Sequence, residues 1–172
     1  MNLVHTFFVK SRVLGIKKIN ALKFVIIKDT LLFVASIFIS IFVLNKPEIW
    51  FFFFCIFVGE YLLVKSYLYK TDSNCYLGAT ILALGLFYLT NAFIPFGSDL
   101  FFILGSFAVG SIATFIFYKQ IFQFFVSLIF ITTILLEILF RQNLINIYIF
   151  LLLIMLNVFI FLFIYARMRI RK

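Results

Sequence analysis

From Leu100 to Phe140 about forty residues pass almost without a charge, and as one helix at ~1.5 Å per residue they would reach ~60 Å. That is twice the ~30 Å of a bilayer's hydrocarbon core, so the run is too long for one span and has to break. Lys119, Gln120 and Gln123 mark where it does, which predicts one helix from about Leu100 to Tyr118 and a second from about Ile121 to Phe140. A chain that carries two such helices back to back is organised by the membrane.

Composition agrees. Hydrophobic residues make up 66% of the chain, charged residues 12%, and the mean hydropathy is +1.23; ordinary soluble domains are roughly 45–50% apolar and 25% charged. A soluble globule is excluded. With 172 residues there is room for about six spans of ~20 residues if the loops are very short. The first is expected from about Phe24 to Leu44 and the second from about Ile49 to Val64, after the turn Asn45-Lys46-Pro47-Glu48, where Pro47 suits a helix start. Lys65 to Asn74 reads as the longest polar connection, with Asp72-Ser73-Asn74 available to cap a third span. A sixth span is expected from about Leu144 to Tyr165, after the turn Arg141-Gln142-Asn143. The expected fold is thus all-α and polytopic, with a basic segment at 1–28, a six-helix transmembrane domain at 24–166 and a basic tail at 167–172.

Six spans put successive turns on opposite sides of the membrane. If the N-terminus is cytoplasmic, all but Lys46 and Arg141 of the fifteen Lys and Arg residues fall on the cytoplasmic side. That is the positive-inside pattern, and five or seven spans would scatter it. Both termini are therefore expected in the cytoplasm, and the compact loops suggest a bacterial inner membrane. The net charge of +9 needs no nucleic acid to explain it, since the basic residues sit at span ends. The 28 phenylalanines are spread over every span and define no binding surface.

Lipid gives helices no hydrophobic reason to pair, so spans pack where small residues let backbones approach. The hairpin from Cys75 to Tyr118 carries five of the seven glycines and the turn Ile94-Pro95-Phe96-Gly97-Ser98-Asp99. On its first helix Gly78, Gly85 and Ala92 recur every seven residues, and on its second Ser106, Gly110 and Thr114 recur every four. These strips make the hairpin the expected tight centre. Ser36 with Ser40, and Cys55 with Gly59, offer smaller strips on the first two spans.

Ionisable groups inside a membrane cost a few kcal/mol each and are the natural site candidates. An inner set comprises Lys28, Asp29, Glu60 and Lys65, in which Glu60 is expected to pair with Lys28 or Lys65 or to belong to a proton, cation or headgroup site. An outer set comprises Thr90, Asn91, Asp99, Glu137 and Arg141; Glu137 and Arg141 are four apart in the favourable order for an ion pair, and Asn91 and Thr90 would add a polar pocket if they faced it. Asn157, alone in the last span, is expected to bond to another helix. With one histidine, His5, and two isolated cysteines, Cys55 and Cys75, the chain offers no metal cluster, redox pair or nucleophile with its base. An enzyme and a bound cofactor are not expected.

In size, span number and inside termini the chain is similar to the substrate-capturing subunits of vitamin importers, which work with separate energising subunits. The long ligand-covering loops of such proteins are missing here, and no residue carries over. The expected role is a small membrane subunit, structural or accessory to transport, whose partners are the lipid bilayer and other membrane subunits or further copies of itself. The alternative is a self-sufficient transporter or channel lined by Glu60, Asn91 and Glu137.

Overall fold

The computed structural model describes residues 3–46, 49–95 and 98–170, with side chains from 15 to 167 apart from residue 43. Pro47, Glu48, Phe96 and Gly97, on which two expected turns rest, lie outside the described residues, as do Arg171 and Lys172 of the basic tail and the side chains of Lys10 and Arg12. Among the described residues there are six long helices and no strand: α1 (Leu3–Phe38), α2 (Ile49–Tyr69), α3 (Asp72–Phe93), α4 (Asp99–Tyr118), α5 (Ile121–Arg141) and α6 (Ile147–Ile170). All six include a stretch long and apolar enough to cross a membrane.

The helices stop where local chemistry tells them to. The long apolar run breaks at Lys119, which takes a left-handed φ of 57° and ends α4, while Gln120 in extended backbone starts α5. Ser98 caps α4 by accepting a hydrogen bond from the Phe101 N–H at 3.1 Å, and Asn146 does the same for α6 through the Ile149 N–H at 2.9 Å. That cap sets the start of α6 three residues later than the apolar pattern alone suggests. At the other end, Lys65 to Tyr69 continue α2 because none of them breaks a helix. The connection to α3 shrinks to Lys70 and Thr71, and Asn74 bonds the Thr71 hydroxyl at 2.7 Å.

The basic N-terminal segment is not separated from the first span. α1 runs unbroken from Leu3, about 54 Å at 1.5 Å per residue, and closes with a π-helical turn over Ile39–Val43. Ser40 lies within that turn and donates to the Ser36 carbonyl at 2.6 Å, so the wider winding coincides with a side chain that engages the backbone ladder. Lys18 stands over the Tyr69 ring at 5.5 Å, which brings the inner part of α1 to the last turn of α2.

Each helix packs on its neighbours in sequence: α1 on α2, α2 on α3, and so on to α6 on α5. Apart from a hydrogen-bonded tie between Ser66 of α2 and Tyr118 of α4, no comparable packing joins helices distant in sequence among the described residues, so the six form an open row rather than a closed ring. The most extensive contact is α2 with α3, while α3 and α4 of the hairpin hold most of the buried residues, so the packed centre takes in α2 as well as the expected hairpin. Gly78 and Gly85 face back onto Gly59, Cys55 and the α2 backbone; small residues lie on both sides of that contact. Across the hairpin, Gly105 of α4 faces the Phe87 ring, and Gly110 lies against the Thr80 side chain and the Tyr76 carbonyl, which a Cβ would approach to 2.8 Å. Ser106, Gly110 and Thr114 are all buried there, and Phe102 fills the remaining space with full burial. Ala92 is only half-buried, and its carbonyl accepts from Lys46 Nζ at 2.7 Å.

Candidate functional site

Two charged clusters stand at opposite ends of the row. The inner one forms because α1 and α2 are antiparallel: Lys28 Nζ donates to Glu60 Oε1 and lies 3.2 Å from Asp29 Oδ1. One ammonium thus serves two carboxylates. Of the two cations available to Glu60 in the sequence, Lys28 makes the ion pair and Lys65 does not. Asp29 is 7% exposed, and neither of its carboxylate oxygens has a hydrogen-bond partner among the described residues. It lines a groove of about 210 Å³ between α1 and α2, together with Phe33, Phe54, Phe57 and Tyr61. With both acids ionised, the trio carries one unbalanced negative charge.

The outer cluster centres on Glu137, 3% exposed on the inward face of α5. Arg141 Nε donates to its Oε1 at 2.9 Å, and Ser98 Oγ donates to the same atom. Ser98 is also the cap of α4, so the carboxylate lies against a helix N-terminus, where the aligned peptide dipoles favour negative charge. Its Oε2 has no partner among the described residues. Asp99 accepts from the Tyr88 hydroxyl at 3.0 Å, and Thr90 bonds back to the Leu86 carbonyl of its own helix at 2.8 Å, so Thr90 does not join Glu137. Asn91 stands half-buried in the last turn of α3 at this same end.

Asn157 reaches from α6 to α5, donating to the Thr132 hydroxyl and, at 3.3 Å, to the Ile129 carbonyl. It ties the outermost helix to the row. Sequence reasoning missed two residues of these ends. Ser98 was hidden in a turn noted for its proline and glycine, although a serine at the start of an apolar run is itself a cap signal. Gln120 was noted only as a helix breaker, yet its amide donates to Asp72 and links the α4–α5 turn to the start of α3.

Comparison with protein-family models, with curated proteins and with solved structures finds no match to this chain. The two clusters therefore have to be read from their chemistry. Both hold a buried carboxylate with a basic side chain beside it, which suits electrostatic pairing.

Proposed function

We propose that this chain is an integral membrane protein, with both termini in the cytoplasm of a bacterial cell, that works as a small non-enzymatic subunit of a larger membrane assembly. Asp29 carries this reading. It is a buried carboxylate without hydrogen bonds, in a trio one positive charge short, beside a groove on the outside of the row. A buried carboxylate that must share its one cation with a second acid is only partly compensated, and a lysine or arginine from a neighbouring membrane helix would complete the balance. The open row supports the same reading, because among the described residues its two edge helices have large faces that no other helix covers. The uncovered face of α6 includes Leu152, Met155, Phe159 and Phe163. Structural and transport-accessory roles both fit a subunit of this kind.

The test is gentle detergent extraction from the native membrane, followed by native sizing and mass identification of what accompanies the 20.2 kDa chain. Companion membrane proteins in fixed ratio, lost when Asp29 is replaced by Asn, are the expected result. A chain that runs alone or only with copies of itself overturns the proposal. Reconstituted flux with Glu60→Gln and Glu137→Gln then tests the transporter alternative.

A further inference from the structure

At the inner end, α2, α3 and α4 enclose a cleft of about 500 Å³ that neither charged cluster uses. One wall is fixed by a hydrogen-bond network. Ser66 Oγ and Tyr118 Oη lie 2.6 Å apart, Ser66 bonds the Thr71 carbonyl at 2.8 Å, and Tyr118 donates to the Ser66 carbonyl at 3.0 Å. This ties the last turns of α2 and α4 together across the start of α3. The interior is apolar, formed by Leu63, Cys75, Phe117 and the exposed ring of Tyr67. Lys70 stands at the rim.

The charge around that rim is predominantly positive. Lys70 occupies the two-residue α2–α3 turn and makes no ion pair among the described residues, while Lys65 and Lys119 belong to the same end of the row. Asp72, the acid closest to Lys70 in sequence, accepts from the neutral Gln120 amide and keeps its own charge, so the three lysines outnumber it. The hydroxyl protons of Ser66 and Tyr118 are already committed to the wall, so Lys70 is the group left to meet a ligand's charge. A cationic rim above an apolar slot matches a molecule with a negative head and a hydrocarbon body. A free phosphate would use the rim and leave the slot empty. Basic pockets between spans on the cytoplasmic side are where anionic headgroups bind.

We infer that this cleft binds an anionic phospholipid of the inner leaflet, with its phosphate on Lys70 and an acyl chain against Leu63 and Phe117. The inference rests on the membrane reading given above. It is tested by native mass spectrometry of the purified full-length chain, titrated with phosphatidylglycerol, phosphatidylcholine or inorganic phosphate. Phosphatidylglycerol is expected to be retained in preference to phosphatidylcholine. Lys70→Gln should weaken that retention about fivefold, the scale set by one lysine's attraction to an anionic lipid surface, and Lys46→Gln at the opposite end should not. Helical circular dichroism confirms that each variant is folded. Equal retention of the two lipids, or undiminished phosphatidylglycerol on Lys70→Gln, overturns the site. Displacement of the lipid by millimolar inorganic phosphate also overturns it, in favour of a soluble anion. Alkaline extraction of native membranes separates the two failures: a chain released by carbonate defeats the membrane reading itself, whereas a chain that stays and shows no lipid preference defeats only the cleft.

Discussion

Gly59 and Gly78 face each other across the α2–α3 contact so closely that a Cβ on either would press on the other's carbonyl oxygen, at 2.8 Å from one side and 3.0 Å from the other. Neither helix can yield locally, because the added atom also meets backbone nitrogen, Leu82 N at 2.6 Å or Leu63 N at 2.9 Å. Gly59→Ala and Gly78→Ala are each expected to destabilise by about 1–3 kcal/mol, the usual cost of overpacking. The double variant should cost less than the two together, since one widening of the gap relieves both. Gly15, which has open space around it, is the contrast: Gly15→Ala should be neutral or stabilise by up to ~1 kcal/mol. Unfolding in mixed micelles reads all four.

Lys28 divides itself between Glu60 and Asp29, so the three residues are not equivalent. Glu60→Gln leaves Lys28 with Asp29, and because Glu60 and Lys28 are each more than a third exposed, the loss should stay below about 1 kcal/mol. Lys28→Met strands the buried Asp29 beside a second carboxylate and should cost about 3 kcal/mol. Adding Asp29→Asn to Lys28→Met should recover most of that loss. Equal effects of the two single changes would contradict this arrangement.

Much of this architecture was legible in the sequence. That the long run breaks followed from length, because ~60 Å of apolar helix does not fit a ~30 Å core, and the polar residues Lys119, Gln120 and Gln123 showed where. The partner of each packing strip was not legible. Gly78 and Gly85 show where α3 is thin, but which helix approaches depends on what faces them, and only the fold shows that Gly59 and Cys55 do. Pairing across the outer end was hidden for the same reason. The spacing of Glu137 and Arg141 lies on one helix and could be read, whereas Ser98 reaches Glu137 from 39 residues away.

Asn157 is a polar tether for α6, reaching Thr132 and the Ile129 carbonyl on α5. Hydrogen bonds between spans contribute ~0.6 kcal/mol on average and up to ~1.7. Asn157→Leu should lower stability by that amount and raise hydrogen exchange in α6 above that in α3. A uniform change along the chain would mean that α6 is held by something else.

Four helix ends are closed by residues with left-handed backbone that are not glycine: Asn45, Lys70, Lys119 and Asn143, with φ between 50° and 57°. Glycine takes this conformation without the steric cost a lysine bears. Lys119→Gly should therefore stabilise by about 1 kcal/mol, read as a higher midpoint in thermal unfolding. A lower midpoint would show that the lysine side chain contributes more than its backbone costs.

The open row also has a temporal consequence. Every helix after the first packs on the one synthesised just before it, and the tie from Ser66 of α2 to Tyr118 of α4 closes as soon as α4 is complete. At ribosomal rates of about 5–20 residues per second, each helix of ~20 residues gives its predecessor on the order of one to four seconds to settle. By the time Tyr118 has been added, the glycine-lined α2–α3 contact and the buried Phe102 are already in the nascent chain. The last two helices extend a finished core, and topologies this local are the ones that assemble fast.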